Sequence, residues 1–379
     1  MKIEFYRHNI SQKDIDNVVK VLNSIFLTTG ETVGGFEERF SRYLGCQHTV
    51  GVTSCTAALH LSLLAYGIGS GDEVITTPMT FISTANAIIY VGATPVFVDV
   101  EPETANIDAE LIEGAITPRT RAILPVHMYG QMCDMKKLRE IARRHKLIII
   151  EDAAHAIEAK RDGIRPAELG DAACFSFYAT KNITCGEGGA ISTNNAEIAE
   201  KLKKLRLHGM SRGAAERYTE RYKHWDMEML GWKYNMNNIQ AALLLDQLAN
   251  IDKYWRRREE ISRVYEGAFQ DNPQVKVLKV LPNSKSARYA FTILVSPEKR
   301  DSTLWQLQER GIGVAVNFRA IHLLTYYRQT YGYKRGMFPV AEKIGDSTIT
   351  LPLYPKLRDD EVEYIIRAVK EVVASSGKF

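Results

Sequence analysis

Between about residues 48 and 195, short apolar segments alternate with segments whose apolar positions recur at helical spacing. The apolar segments, which we predict to be β-strands, are 49–53, 73–77, 95–100, 122–126 and 147–151. The helical patterns lie at 56–66, 80–91, 108–115 and 135–145. Strands that are apolar throughout are typical of a parallel sheet buried on both faces. The pattern therefore predicts an α/β fold whose parallel sheet is covered by helices on both sides.

The pattern changes in the C-terminal third of the chain. The remaining predicted elements are strands 174–178, 190–193, 288–295 and 314–318 and helices 237–269, 303–310 and 359–373. The elements after residue 273 are those of a small α+β unit. We therefore predict a large domain, 1–250, which includes an N-terminal arm, and a small C-terminal domain, 251–379.

The composition is that of an ordinary globular protein, with 45% hydrophobic and 25% charged residues among 379. The longest aliphatic runs are the size of a strand, and the first residues lack the apolar core of a secretory signal. The five cysteines form no C-x-x-C pair, so neither a disulfide framework nor a zinc site is predicted. A net charge of +4 is too small for a nucleic-acid-binding surface. We expect a cytoplasmic protein that binds no membrane, nucleic acid or metal.

Three segments with reactive side chains follow predicted strands, which is where ligands bind in open parallel sheets. They are Glu151-Asp152-Ala153-Ala154-His155, Ser176-Phe177-Tyr178-Ala179-Thr180-Lys181-Asn182 and Ser54-Cys55-Thr56-Ala57-Ala58-Leu59. Taken singly, each has an ordinary explanation. Asp152 and Ser54 have the residue types that cap helices, and Lys181 could be a surface lysine.

Taken together, the three segments match the requirements of pyridoxal phosphate (PLP). Its phosphate needs the backbone N–H groups of a helix N-terminus. Its aldehyde needs a lysine amine. Its pyridine nitrogen needs a carboxylate that keeps it protonated, so that the ring accepts electrons from the substrate. The combination therefore indicates a PLP site more strongly than any single segment does.

The order of these motifs resembles that of a known family. The runs S-C-T-A-A-L, E-D-A-A-H and S-F-Y-A-T-K-N-I-T-C-G-E-G-G-A-I are similar to those of the DegT/DnrJ/EryC1/StrS sugar aminotransferases, and the resemblance extends over residues 5–373. That family is a branch of the fold-type I, aspartate aminotransferase-like PLP enzymes. The resemblance implies a mostly parallel seven-stranded sheet in the large domain, a small C-terminal α+β domain, and PLP as the cofactor.

The resemblance also implies a role for each matching residue. Lys181 would form the Schiff base with PLP and move the proton to and from the sugar. Asp152 would pair with the pyridine nitrogen, and His155 would contact the 3′-oxygen. The phosphate would be bound by Ser54, Cys55, Thr56 and Ser176. Phe81 would stack on the pyridine ring, although its spacing is equally typical of a core aromatic in the next helix.

Members of this family are dimers that share their active sites, so the resemblance implies a homodimer. The segment Lys233-Tyr234-Asn235-Met236-Asn237 is similar to the one that reaches into the neighbouring subunit. Asn235 would then bind the PLP phosphate of the partner's site. By residue type alone, Asn235 is an ordinary turn residue.

Three further segments narrow the resemblance within the family. Residues 181–185, 318–322 and 351–355 are most similar to the enzymes that form UDP-4-amino-4-deoxy-L-arabinose for the lipid A of lipopolysaccharide. The implied reaction transfers the amino group of L-glutamate to a nucleotide-linked keto sugar, a UDP-4-keto-pentose or -hexose, and releases 2-oxoglutarate. Arg319 would help to bind the diphosphate. His322 would lie near the sugar, or else be an exposed loop histidine without a role.

Other functions are compatible with parts of the sequence. A PLP-dependent sugar dehydratase or lyase could use the same scaffold, although related dehydratases carry histidine where this chain has Lys181. A cofactor-binding regulator without turnover would need a DNA-binding domain, for which only the segment before residue 49 is left. A nicotinamide oxidoreductase is disfavoured because the glycine-rich run Gly67-Ile68-Gly69-Ser70-Gly71-Asp72 precedes a strand instead of following one.

Overall fold

The strands among the described residues form three sheets. The computed structural model describes residues 1–211 and 224–375. In chain order the strands are β1 (His48–Val52), β2 (Glu73–Thr76), β3 (Thr94–Phe97), β4 (Thr120–Ile123), β5 (Ile148–Asp152), β6 (Lys160–Arg161), β7 (Ala172–Ser176), β8 (Gly189–Thr193), β9 (Lys276–Val277), β10 (Ser284–Lys285), β11 (Phe291–Leu294) and β12 (Thr348–Leu351). The largest sheet has seven strands in the order β1-β8-β7-β5-β4-β2-β3.

This sheet is mostly parallel. Strands β3, β2, β4, β5 and β7 pair in parallel, whereas β8 runs antiparallel to both of its neighbours, β7 and β1. The predicted fold class, a fold-type I aminotransferase sheet with seven mostly parallel strands, is confirmed. The carboxyl ends of the parallel strands lie at one edge, where loops have room to form a ligand site.

Helices surround the sheets. They are α1 (Gln12–Leu22), α2 (Glu31–Leu44), α3 (Cys55–Ala65), α4 (Ser83–Tyr90), α5 (Met135–His145), α6 (Ala196–Leu205), α7 (Asn238–Ala249), α8 (Ile251–Phe269), α9 (Arg300–Glu309), α10 (Thr325–Tyr331), α11 (Pro339–Ser347) and α12 (Asp359–Ser375). No helix among the described residues is both long and apolar enough to cross a bilayer.

Both faces of the large sheet are covered, as its apolar strands predict. Successive side chains of a strand point to opposite faces. In β5, Ile149 packs in one apolar cluster with Leu138 of α5, and Ile150 packs in another with Leu61 of α3. Because the side chains on both faces of β5 are buried, its sequence is continuously apolar up to Glu151.

The C-terminal part of the chain has its own sheet and apolar cluster. Strands β12, β11 and β9 form an antiparallel sheet in that order. Its cluster joins residues of α8, α9 and α12, and it also contains Ile3, which pairs with Ile312. The first residues of the chain therefore pack on the C-terminal part.

Three predicted elements differ from the structure. The helical pattern at 237–269 is two helices, which break at Asn250, where the side chain bonds to Asp246 and the backbone leaves the helical conformation. Residues 108–115 form two short 3₁₀ turns instead of an α-helix. Residues 314–318 form no strand and make one isolated bridge, between Ala315 and Thr350. Short apolar runs do not distinguish an edge strand from an extended loop.

The apolar patterns do not predict α1, α2 or α6. The start of α1 nevertheless carries a recognisable signal, because Ser11 and Asp14 form a capping box. Such a box is visible in the sequence as S-x-x-D.

Candidate active site

A cavity of about 530 Å³ opens at the carboxyl edge of the large sheet. Its walls include eight predicted site residues: Ser54, Cys55, Thr56, Phe81, Asp152, His155, Ser176 and Lys181. They come from segments that are distant in sequence and that the parallel topology brings together. A larger concavity, of about 710 Å³, lies on the C-terminal part and contains none of them. The smaller cavity is the candidate active site because the reactive groups converge there.

Asp152 is the last residue of β5 and is almost fully buried. Thr84 Oγ1 donates to its Oδ2 at 2.8 Å, Ala154 N donates to its Oδ1 at 3.1 Å, and the Cys55 thiol lies 4.0 Å from Oδ1. These donors are all neutral. Burial raises the pKa of Asp152, against the opposing effect of the Thr84 hydrogen bond. The site therefore holds a buried carboxylate that lacks a hydrogen-bonded cation within the described residues.

The neighbouring Glu151 points to the opposite face of the sheet. Its Oε2 lies 2.7 Å from His127 Nε2, and its Oε1 accepts from Ala167 N at 2.9 Å. His127 Nδ1 accepts from Cys133 N, so Nε2 carries the hydrogen that is donated to Glu151. Glu151 is thus satisfied inside the fold, and only Asp152 faces the cavity.

The start of α3 forms the second wall. Ser54 is its N-cap, and the Ser54 hydroxyl accepts from Ala57 N at 3.1 Å. The capping role and the anion-binding role are compatible, because the N–H groups of the first helical turn have no partner within the helix. No acidic residue lies in this turn to compete for an anion.

Gly189 makes this arrangement possible. A Cβ atom at position 189 would lie 2.4 Å from the carbonyl carbon of Ser54 and 2.6 Å from Cys55 N. Strand β8 therefore starts in direct contact with the start of α3. This close approach requires glycine at position 189, the second residue of the Gly188-Gly189 pair that follows Lys181.

Lys181 follows β7 in a tight turn, in which Lys181 N donates to Tyr178 O at 2.9 Å. Its Nζ lies 4.3 Å from the ring centroid of Tyr289. On the same ring, the imidazole of His155 stacks with a centroid separation of 3.8 Å and an interplanar angle of 13°. Burial, followed by the charge of Lys181, holds the pKa of His155 well below its usual value. His155 therefore presents a neutral imidazole at neutral pH.

Two other predicted residues line the same cavity. Ser176 ends β7, and its hydroxyl accepts from Tyr178 N at 3.3 Å. Phe81 is 54% exposed, and its ring lies 5.7 Å from that of Phe318. Phe81 is therefore a cavity residue and not a core aromatic of α4.

Three predicted residues lie outside the cavity. Asn235 is buried, and its side chain donates to Thr29 Oγ1 at 2.7 Å. Arg319 follows Phe318 and lines a separate concavity of about 580 Å³ together with other basic residues.

His322 is not an exposed loop histidine, and its place near the sugar stays a prediction. It is fully buried, and its Nε2 lies 3.0 Å from Glu342 Oε1. Its ring packs against Phe338 in the apolar cluster that joins the two parts of the chain. His322 does not line the cavity, and its buried Nδ1 has no hydrogen-bond partner among the described residues.

The sequence patterns do not identify Tyr289, Thr84 or Phe318 as site residues. Thr84 is one turn after Thr80, and the two hydroxyls are 2.7 Å apart, but hydroxyl residues at a helix start carry no specific signal. Tyr289 reaches the cavity from the C-terminal part, which only the packing of the two parts reveals. The sequence also predicts that the loops around 206–234 help to select the sugar, and residues 212–223 of these loops lie outside the described residues.

Comparisons with known proteins show the family to which the chain belongs. The sequence profile of the DegT/DnrJ/EryC1/StrS aminotransferase family matches residues 8–370. The chain is 43% identical over 370 residues to the spore coat polysaccharide biosynthesis protein SpsC of Bacillus subtilis, covering 96% of this chain and 95% of that protein.

Solved structures are similar over nearly the whole chain. DesV of S. venezuelae, in complex with a ketimine intermediate, has 35% identity and a TM-score of 0.91 and covers 98% of both chains. A sugar aminotransferase-like protein of Streptococcus pneumoniae, solved with pyridoxamine phosphate (PMP), has 32% identity and a TM-score of 0.94. The match covers 99% of this chain and 100% of that chain. The similarity in sequence and structure extends beyond the motifs to the entire fold, and the protein belongs to the DegT/DnrJ/EryC1/StrS aminotransferase family.

Proposed function

We propose that this protein transfers the amino group of L-glutamate to a nucleotide-linked keto sugar, with PLP as the cofactor and 2-oxoglutarate as the second product. The observation that carries the proposal is the convergence of Lys181, the buried Asp152 and the start of α3 on one cavity. The S. pneumoniae relative has been solved in both PLP and PMP forms, the two states that a transaminating cofactor alternates between.

The residues present fit PLP. The start of α3 and the hydroxyls of Ser54, Thr56 and Ser176 offer donors for a phosphate. Asp152 is a buried carboxylate with neutral donors, and a protonated ring nitrogen would supply the missing positive charge. Phe81 and His155 are aromatic residues that line the same cavity. When bound, PLP supplies an electron-accepting ring that stabilises negative charge on the carbon attached to the amine.

Lys181 has two tasks in this proposal. Its Nζ binds the cofactor covalently between turnovers. Its Nζ would also move one proton in each half-reaction, from Cα of glutamate to the C4′ carbon of the cofactor in the first and from C4′ to the sugar carbon in the second. It would therefore act as base and then as acid in both halves. Asp152 would keep the ring nitrogen protonated, and the neutral His155 would contact the 3′-oxygen of the ring.

The basic surface around Arg319 supports an anionic substrate. Arg319, Arg328 and Lys334 line the concavity of about 580 Å³, and within the described residues none of the three forms an ion pair. The adjacent Phe318 lines the cavity that also holds Lys181, so an anion bound at Arg319 would lie one residue along the chain from the wall of that cavity. Within this class, our specific candidate is a UDP-4-keto-pentose or -hexose. A lipopolysaccharide pathway is one possible context, and SpsC indicates that other polysaccharide pathways belong to the same family.

We further propose that the active protein is a homodimer with shared sites. Helix α1 exposes Ile15, Val19 and Leu22, which are spaced to lie on one helix face, and Ile25 after the helix is 91% exposed. Such an apolar stripe is typical of an interface. Asn235 would complete the phosphate site of the partner subunit.

The test is the visible absorbance spectrum of the purified protein with PLP, before and after L-glutamate is added. The proposal predicts an absorbance band from lysine-bound PLP. When glutamate is added, this band should disappear and the spectrum of pyridoxamine phosphate (PMP) should replace it. Lys181→Ala should lack the band and lose turnover. Product analysis with UDP- and dTDP-keto sugars then identifies the acceptor. If the product were a deoxy sugar that contains no nitrogen from glutamate, the protein would be a dehydratase and not an aminotransferase.

A further inference from the structure

A buried polar network lies directly behind Lys181. The side-chain nitrogen of Asn182, the next residue, donates to Glu158 Oε2 at 2.7 Å and to Ala287 O at 3.0 Å. Asn182 and Glu158 are both buried. One amide group therefore uses both of its N–H donors and joins the lysine turn to two other segments.

The carboxylate of Glu158 is in turn held by an arginine of α8. Arg258 is 2% exposed, and its Nη2 donates to Glu158 Oε1. Its Nε and Nη1 have no hydrogen-bond partner within the described residues. The charge of Arg258 is thus compensated by Glu158, and removing one member alone would leave a buried, unpaired charge.

The segment that contains Ala287 carries the ring beneath the Lys181 amine. Trp255 of α8 donates to Ser286 O at 2.8 Å, and Arg288 bonds to Glu259 of the same helix at 2.6 Å. Tyr289 follows at once. Helix α8 therefore holds the backbone of Tyr289 at the same time as it holds Glu158.

From this geometry we infer that Asn182, Glu158 and Arg258 are positioning residues: they connect α8, the Tyr289 segment and the lysine turn into one unit that sets where the amine of Lys181 lies. The inference rests on the proposed function, in which that amine reacts. Asn182 is the central member, because it is adjacent to Lys181 and its amide bonds to Glu158 Oε2 at 2.7 Å and to Ala287 O at 3.0 Å, whereas Arg258 Nη2 lies 3.5 Å from Ala287 O.

Asn182→Ala tests the inference without removing a charge. In the PLP-free full-length chain, loss of the bridge should free the Lys181 amine from the Tyr289 ring. Acetylation of Lys181 by acetic anhydride, measured by mass spectrometry relative to surface lysines, should become faster than in the wild type. In the PLP-loaded protein, kcat should fall roughly tenfold or more with the KM for the keto sugar nearly unchanged, because a misplaced amine affects the reacting step.

Arg257→Met is the matched control. Arg257 is adjacent to Arg258 on α8 but bonds to Asp359 on the surface. Its replacement should change neither readout. The double variant Glu158→Gln with Arg258→Met removes both buried charges together and preserves an acceptor for Asn182. It should change Lys181 acetylation and kcat in the same direction as Asn182→Ala does, but by a smaller factor. It also serves if Asn182→Ala does not fold.

Two outcomes distinguish a failure of this inference from a failure of the proposed function. If the wild type binds PLP at Lys181 while the folded variants keep wild-type Lys181 labelling and kcat, the network is only structural and the inference is wrong. If the wild type itself binds no PLP at Lys181, the proposed function fails instead.

Discussion

At the scale of single residues, the buried carboxylate of Asp152 has opposite consequences for stability and activity. Because burial raises its pKa, the folded PLP-free protein holds a proton at pH values where the unfolded chain has already lost it. The free energy of unfolding therefore falls as the pH rises from the unfolded pKa through the folded one. Above the unfolded pKa, Asp152 therefore makes the PLP-free protein less stable than a carboxyl group of ordinary pKa would.

Asp152→Asn should consequently stabilise the PLP-free protein while it impairs catalysis. The amide can still accept from Ala154 N, and the Thr84 hydroxyl can rotate to accept from it. We expect the thermal midpoint of the PLP-free variant to rise at pH 7, on the order of a few degrees. Turnover should fall, because the ring nitrogen loses its anionic partner. A midpoint equal to or below that of the wild type would contradict this account of Asp152.

His155 makes the PLP-free protein sensitive to acid. Its pKa is lowered by burial and then by the charge of Lys181, so the unfolded chain binds a proton below about pH 6.5 that the folded chain does not bind. This contribution to stability is complete above that pH and is lost as the pH falls toward the folded pKa. The effect is at most about 1.4 kcal/mol per pH unit.

His155→Phe should reduce this acid sensitivity. Phenylalanine can retain the stack on Tyr289 but cannot titrate. Urea unfolding of the PLP-free chain at pH 7.5 and 5.5 should show a smaller loss of stability in the variant than in the wild type. An equal loss in both proteins would assign the acid sensitivity to other groups.

At the scale of elements, the contact between β8 and the start of α3 determines the phosphate site. A Cβ atom added at Gly189 meets the backbone of Ser54 and Cys55, which cannot rotate away as a side chain can. Gly189→Ala should displace the helix start, destabilise the protein by about 1–3 kcal/mol and weaken PLP binding. An absorbance titration with PLP measures the affinity.

Gly267→Ala is the control for this prediction. Gly267 lies on the exposed side of α8, and a Cβ atom there meets nothing within 4 Å. Alanine in a helix is more favourable than glycine by up to about 1 kcal/mol, so the control should be at least as stable as the wild type and bind PLP equally well. Equal PLP affinity in the two glycine variants would exclude the proposed role of the β8–α3 contact.

At the scale of the whole molecule, a shared site predicts complementation between subunits. In a mixed dimer of Lys181→Ala and Asn235→Ala chains, one site combines both substitutions and the other has neither. Each homodimer should be impaired, and mixed dimers should regain up to about half of the wild-type activity per dimer, because one of two sites is intact. The measurement is turnover after the two variants are co-expressed and the mixed dimer is purified. Activity no greater than that of the separate variants would mean that Asn235 does not act across the interface.

Much of the fold was predictable because it follows from local patterns. The runs at 73–77, 122–126 and 147–151 are apolar throughout, and the structure has β2, β4 and β5 there. The break at Asn250 and the loop at 314–318 were not predictable, because apolar periodicity continues across a helix bend and does not distinguish a strand from an extended loop.

What the sequence by itself determined is the fold class and the residues at the strand ends. Lys181, Asp152 and the start of α3 each follow a strand in an unbroken motif, and parallel topology brings such positions to one edge whatever the details of packing. The tertiary structure alone decided that Tyr289 lies beneath Lys181, that His322 is buried on Glu342, and which neighbours surround each carboxylate. These contacts join segments far apart in the chain, so they depend on how the two parts of the protein pack and have no local signature.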